Sequence, residues 1–149
     1  MAVKELGHVV LYVKDVEVSR HFYGDVLGWH EIDQDNRRPM AVFSSGRTHH
    51  ELLLIEVGPQ AAPVQRGHHL GMYHFGLKVG ETDEELKEVL ENLVANNVKI
   101  VGASDHTVTH SLYIEDPDGN EIELYIDVQP AIWKDHPEAV VAPVKPLTL

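Results

Sequence analysis

Alternation of apolar and polar residues predicts a β-hairpin near the end of the chain. Residues 111–126 read SLYIEDPDGNEIELYI, in which two segments rich in β-branched and aromatic residues flank a polar turn. The Asp-Pro-Asp-Gly turn has a physical basis, because proline presets φ, aspartate bonds back to the backbone and glycine adopts a left-handed conformation. On the returning strand Glu123 faces away from Ile122 and Leu124. The Glu123 carboxylate therefore either lines a polar cavity formed by the sheet or lies on a solvent-exposed sheet face.

The pattern earlier in the chain predicts one strand, a helix and three more strands. After a strand over residues 5–14, Asp15 is a predicted N-cap, and apolar residues spaced by four predict a helix over 16–27. Gly28 suits the position that follows the helix. Further strands are predicted over 29–32, 39–45 and 49–57, with a polar turn over 33–38.

The same order then occurs a second time. A strand is predicted over 72–79, and Thr82 with Glu85 forms a capping box that begins a helix ending near Asn96. Another strand over 98–103 precedes the hairpin. The apolar face of this helix consists of Leu86, Val89, Leu90, Leu93 and Val94. The chain is therefore predicted to be an internal duplication of a βαβββ unit.

Four segments make up this predicted single domain of residues 1–149. Module one covers 5–57, a linker covers 58–71, module two covers 72–127 and an extended arm covers 128–149. The linker has glycine and proline without periodicity, so its neighbouring residues His68 and His69 are expected to be solvent-exposed. The arm has four prolines and an expected anchor at Trp133, and could pack on its own domain, cap a site or embrace a second subunit.

Composition excludes several classes of function. The net charge of −12 disfavours binding to nucleic-acid phosphates or to anionic membranes. The chain has no cysteine, which excludes disulfides, zinc-thiolate sites and a thiol nucleophile. It also has no apolar run of about 20 residues and no signal-like apolar segment near its start, so a cytoplasmic location is expected.

A histidine stands near the start of the first strand of each module. The segments HVVLYV and HFGLKV begin at His8 and His74, which are 66 residues apart. Together with Glu123 they supply two imidazoles and one carboxylate on strands, the ligand set of a facial metal triad.

Residues 5–127 resemble the vicinal oxygen chelate superfamily, which includes glyoxalases, bleomycin resistance proteins and extradiol dioxygenases. The resemblance rests on the two βαβββ modules, the segment HFYGDVLGW at residues 21–29 and the hairpin segment LYIEDPDGNEIELY at 112–125. It implies an α+β fold in which two tandem modules form a half-open mixed β-barrel around a divalent metal. It also implies His8, His74 and Glu123 as the metal ligands, and a homo-oligomer of two or more subunits.

Within the superfamily, the chain is most similar to small type I extradiol dioxygenases. Their segment His-His followed by an acidic or polar residue corresponds to His49-His50-Glu51 here, which implies that His50 is the acid–base residue. Overlaying the turns at Gly46 and Gly119 also matches His50 with Glu123. The resemblance further implies that Tyr113 hydrogen-bonds the substrate and that His106 meets it, with His110 as a rival to His106.

The implied reaction is cleavage of a catechol-type aromatic diol by O₂ at Fe(II), with Mn, Ni or Zn as alternative or substitute ions. One alternative is a glyoxalase I-like lyase or isomerase that uses His8, Glu51, His74 and Glu123 as ligands. A second alternative is a metal-free drug-binding resistance protein. Fosfomycin-thiol transferases share the triad, but the residues before Tyr113 are more similar to the dioxygenases.

Overall fold

The computed structural model describes residues 2–32 and 37–149, and the chain divides into a unit that ends at Val64 and a unit from Gln65 to Leu149. Of the predicted turn over 33–38, residues 33–36 lie outside this description. The described residues form an α+β fold with eight strands and three α-helices, and each unit has its own open sheet. No helix among them is both long and apolar enough to span a membrane.

The first unit has a three-stranded sheet. Its strands are β1 (Val9–Val13), β2 (Met40–Phe43) and β3 (Leu52–Glu56), in the order β1-β3-β2. β1 runs parallel to β3, and β2 runs antiparallel to it. The pairing of β1 with β3 places the start of both strands at the same edge, where the residues before them lie close together.

The helix predicted over 16–27 forms at nearly the predicted bounds. It consists of α1 (Val16–Arg20) and a π-helical continuation (His21–Val26), and the Asp15 side chain accepts hydrogen bonds from the backbone N–H groups of Glu17 and Val18. Gly28 follows with a φ of 71°, the left-handed conformation that ends a helix.

All four predicted strands of this unit are shorter than expected: β1 begins at Val9, directly after His8, and β2 covers only Met40–Phe43. The strand over 29–32 is reduced to an isolated bridge between Glu31 and Phe43. β3 begins at Leu52 rather than at 49, because the preceding turn is wide: Ser44 Oγ donates to the Thr48 carbonyl and accepts from the Gly46 N–H. His49 and His50 therefore precede the strand instead of lying on it.

Alternate residues of the three strands form the core of the first unit. Leu54 is fully buried on the central strand, on the same face as Leu52 and opposite the half-buried Ile55. Leu54→Ala is expected to lower the free energy of unfolding by about 2–5 kcal/mol, because it removes contacts and leaves a cavity. Urea unfolding would measure this loss. Leu70→Ala is the matched control, since Leu70 is fully exposed; an equal loss in both variants would contradict the assignment of Leu54 to the core.

The second unit has a five-stranded mixed sheet and a longer helix. The strands are β4 (His74–Gly80), β5 (Ile100–Asp105), β6 (Thr109–Glu115), β7 (Glu121–Asp127) and β8 (Lys145–Pro146), in the order β4-β7-β6-β5-β8. β4 and β7 are parallel, while the neighbouring pairs β7-β6, β6-β5 and β5-β8 are antiparallel. This is not a doubly wound parallel sheet, and the predicted fold class is confirmed.

Helix α2 (Asp83–Ala95) packs against β4, β6 and β7. The predicted capping box is present, since Thr82 Oγ1 accepts from the Glu85 N–H and the Glu85 carboxylate accepts from the Thr82 N–H. Leu86 and Leu93 are fully buried, whereas Val89 and Leu90 are half-buried. The predicted apolar face is therefore correct at its centre and partly exposed at its margin.

The predicted hairpin joins β6 to β7. The buried Asp116 carboxylate accepts from the N–H groups of Asp118 and Asn120, and Gly119 has a φ of 92°. The register pairs Tyr113 with Glu123 and Ser111 with Tyr125. Since paired residues point to the same face, Ser111, Tyr113 and Glu123 share one side of the sheet.

Outside the two modules, the linker has the predicted structure but the C-terminal arm does not. Residues 58–71, all of which the structure describes, contain no helix or strand, and His68 and His69 are exposed as expected. The C-terminal arm was predicted to be extended, but it forms α3 (Pro130–Asp135) and a 3₁₀ helix (Pro137–Val141). Its last strand, β8, pairs with β5 of the same unit.

Candidate metal centre

His74 and Glu123 face each other on the parallel strands β4 and β7. His74 Nε2 lies 3.3 Å from Glu123 Oε2, and both side chains are largely buried. Two ligands that bind one ion at right angles, each at about 2.1 Å, lie about 3 Å apart. The pair therefore has the chemistry and the spacing to hold two neighbouring positions of a divalent ion.

The other oxygen of Glu123 is held by the adjacent strand β6. Glu123 Oε1 accepts from Ser111 Oγ at 2.7 Å and from the Tyr113 hydroxyl at 3.3 Å. These bonds fix the carboxylate and leave Oε2 turned towards His74. Burial, followed by the negative charge of Glu123, raises the pKa of Tyr113 above its ordinary value, so this hydroxyl keeps its proton at neutral pH.

His106 extends this chain of polar contacts. Its Nε2 lies 2.7 Å from the Tyr113 hydroxyl and 4.0 Å from Glu123 Oε1. When the single Tyr113 proton points to Glu123, the Nε2–H of His106 is the donor to the tyrosine oxygen. His110, by contrast, bonds Asp83 on α2 at 2.6 Å. Of the two rival histidines, His106 is the one in contact with Tyr113.

A second carboxylate, that of Glu121, lies near the other ring nitrogen of His74 and was not among the predicted site residues. His74 Nδ1 is buried without a hydrogen-bond partner, and Glu121 Oε1 lies 3.6 Å from it. Glu121 in turn accepts a hydrogen bond from Tyr73, which raises the tyrosine pKa. Metal-bound histidines commonly donate their other N–H to a carboxylate, so Glu121 is placed to orient His74. The alternation of Glu121 with Glu123 on β7 was the available signal.

In the first unit, three histidines meet at the start of β1 and β3. His8, His49 and His50 each offer a ring nitrogen, and these nitrogens lie within 4.8 Å of one another. The rings of His8 and His50 are 4.3 Å apart between centroids. Burial, with the charges of His8 and His49, lowers the pKa of His50, which favours the neutral ring that can accept a proton.

Glu51, the fourth ligand of the glyoxalase-like alternative, is engaged elsewhere in the first unit. Its carboxylate accepts from the backbone N–H of Ser45 at 2.5 Å and lies 3.3 Å from Arg47 Nε. Arg47 Nη2 also donates to the Gly7 carbonyl. The carboxylate of Glu51 therefore stabilises the turn before β3.

The strand registers give a direct comparison of the two sheets. With His8 matched to His74, the more buried residues of β1 and β4 alternate with exposed ones in the same phase, although β4 is partly exposed throughout. Val10 pairs with Leu53 on β3, and the equivalent Gly76 pairs with Glu123 on β7. The counterpart of Glu123 is therefore Leu53, and the overlay that matched Glu123 with His50 was wrong.

Comparison with known proteins agrees with this architecture. A profile of the Glyoxalase/Bleomycin resistance protein/Dioxygenase superfamily matches residues 5–124. The chain belongs to this superfamily.

Similarity to individual proteins extends over most of the chain. It is 31% identical over 129 residues to the catechol-2,3-dioxygenase of Bacillus subtilis strain 168, covering 87% of this chain and 44% of that protein. It is also 31% identical over 126 residues to biphenyl-2,3-diol 1,2-dioxygenase 2 of Rhodococcus globerulus, covering 85% and 64%. The chain thus spans less than two thirds of either relative.

A solved structure supports the fold. The crystal structure of a glyoxalase/dioxygenase from Nostoc punctiforme aligns with a TM-score of 0.69 at 23% identity, covering 85% of this chain and 92% of that one.

Proposed function

We propose that this protein is an Fe(II)-dependent extradiol dioxygenase that cleaves a catechol-type aromatic diol with O₂. The ligands in this proposal are His8, His74 and Glu123. The observation that carries it is the His74–Glu123 pair at 3.3 Å with Tyr113 and His106 beside it. Two relatives with 31% identity bear the names of dioxygenases that act on aromatic diols.

A three-ligand set is central to the proposal. Two histidines and one carboxylate would hold Fe(II) and leave positions for other ligands, and the ion, when bound, would supply electron transfer between the diol and O₂. A fourth protein ligand would remove one of these positions. In the first unit the counterpart of Glu123 is the apolar Leu53, and Glu51 is paired with Arg47.

The remaining polar residues have roles that follow from their contacts. Tyr113, whose raised pKa keeps it protonated, donates a hydrogen bond to a substrate oxygen in place of its bond to Glu123. His106 holds the Tyr113 hydroxyl in place through the hydrogen bond between its Nε2 and the tyrosine oxygen. His50, as a neutral base, accepts one proton from the diol and returns it when the ring opens.

The experiment is anaerobic loading of the apo protein with Fe(II), followed by addition of catechol and air. The proposal expects O₂ consumption and a yellow ring-opened semialdehyde detected by its absorbance. Loading with Zn(II), which has no redox chemistry, is the matched control and should give no product.

A parallel assay distinguishes the glyoxalase-like alternative. Methylglyoxal with a thiol is offered to the protein loaded with Ni(II) or Zn(II), and formation of a thioester is recorded. A thioester without any ring-opened product would reject the dioxygenase assignment.

A further inference from the structure

The turn between β5 and β6 holds His106 in an unusual backbone conformation. Thr107, the next residue, has a φ of 72° although it is β-branched, and such residues rarely adopt positive φ. A strained conformation persists only where surrounding contacts determine it, and strain of this kind is concentrated at functional sites.

Asp105 supplies the contact that holds this turn. Its Oδ1 accepts from the Thr107 N–H at 2.6 Å, so the carboxylate caps the turn across His106. The backbone N–H of His106 donates to the Thr109 carbonyl, which closes the turn from the other side. The direction of the His106 side chain is therefore determined by a backbone that Asp105 restrains.

Asp105 is itself held on two sides. His110, its cross-strand partner, places Nε2 3.8 Å from Asp105 Oδ1 and bonds Asp83 on α2 through Nδ1. On the opposite edge, Lys145 of β8 pairs with Asp105 through the backbone. The C-terminal arm and the helix thus both support the strand end from which His106 projects.

We propose that Asp105 is a positioning residue that fixes His106 against the Tyr113 hydroxyl. This inference rests on the proposed function for its catalytic consequence, but its structural part can be tested without turnover. Asp105 acts through the Thr107 N–H and does not itself touch Tyr113 in these contacts.

The structural test is NMR spectroscopy of the metal-free protein. The His106 and Tyr113 rings lie 6.2 Å apart between centroids in edge-to-face contact, so cross-peaks between them are expected in the wild type. Asp105→Ala removes the acceptor and should lose these cross-peaks. Asp105→Asn keeps an oxygen acceptor of the same length and should retain them.

The kinetic test uses the Fe(II)-loaded protein with catechol. Asp105→Ala should lower kcat about 10- to 100-fold with a much smaller change in KM, because His106 is misplaced while the ligands are intact. Asp105→Asn should restore most of the rate. If the alanine variant does not fold, Asp105→Glu replaces it, since its longer side chain also moves the carboxylate away from the Thr107 N–H.

Asp15→Ala controls for a general loss of stability. Asp15 also caps backbone N–H groups, but it does so at the start of α1 in the first unit, whereas the β5–β6 turn belongs to the second. Its loss should lower stability without changing kcat.

Intact cross-peaks and kcat in Asp105→Ala, or an equal loss in Asp105→Asn, would overturn the proposal. An inactive wild type would reject the proposed function, while the cross-peaks would still decide the role of Asp105.

Discussion

Replacing His74 by alanine is expected to abolish tight binding of Fe(II) to the apo protein. The imidazole lies 3.3 Å from Glu123, and its removal takes away one of the nitrogen ligands in the proposed triad. Loss of residues that only orient a ligand costs about 10- to 100-fold in affinity, so loss of a ligand should cost more than about 100-fold. Anaerobic titration with Fe(II), followed by calorimetry, would measure the dissociation constant.

His69→Ala is the matched control for His74→Ala. His69 is exposed in the loop before β4, and its Nδ1 contacts the Gly67 carbonyl. This variant should bind Fe(II) as the wild type does. If His74→Ala retained wild-type affinity, the ion would have to be bound elsewhere, and the group of His8, His49 and His50 would be the first candidate.

Local sequence patterns predict most of the secondary structure of the second unit. Turn residues at Asp116 and Gly119 define the hairpin, and strict alternation on β7 places Glu123 on the polar face. The capping box at Thr82 defines the start of α2. Because the hairpin turn determines the pairing of β6 with β7, the short-range pattern also places Tyr113 beside Glu123.

Other features depend on the length and shape of loops, which local patterns do not determine. Residues 44–51 separate β2 from β3, whereas residues 116–120 separate β6 from β7. Counting from the two turns therefore shifts the match between the sheets, and Leu53 rather than His50 is the counterpart of Glu123. The wider turn is stabilised by hydrogen bonds of Ser44 and Glu51 that no periodic pattern predicts.

Long-range pairs were also beyond sequence reasoning. Glu121 lies near His74 because β4 and β7 are parallel neighbours, although the two residues are 47 residues apart in the sequence. Likewise, the contact of His110 with Asp83 places His110 next to α2, and the competition between His106 and His110 could not be decided from their spacing to Tyr113.

The second large effect is expected for His50→Phe, which should retain Fe(II) affinity and lower kcat by about 10²- to 10⁴-fold. Phenylalanine preserves an aromatic ring beside His8, whose centroid lies 4.3 Å from that of His50, but it can neither accept nor return a proton. In the proposed mechanism the step that slows is proton transfer, so the metal should still bind. Fe(II) titration and steady-state O₂ consumption on the same preparation would separate the two quantities.

Two variants of the neighbouring residues serve as controls for His50→Phe. His49→Phe removes the exposed histidine whose Nδ1 lies 2.5 Å from His50 Nδ1, and it should slow turnover less than His50→Phe does, because the proposal gives His49 no proton to carry. Glu51→Gln should keep Fe(II) affinity, because the carboxylate of Glu51 bonds Ser45 and Arg47 instead of an ion.

If His50→Phe lost iron, His50 would be a ligand. If Glu51→Gln lost iron, a four-ligand site of the glyoxalase type would replace the dioxygenase assignment, since a fourth protein ligand would leave too few positions for both oxygens of a diol and for O₂.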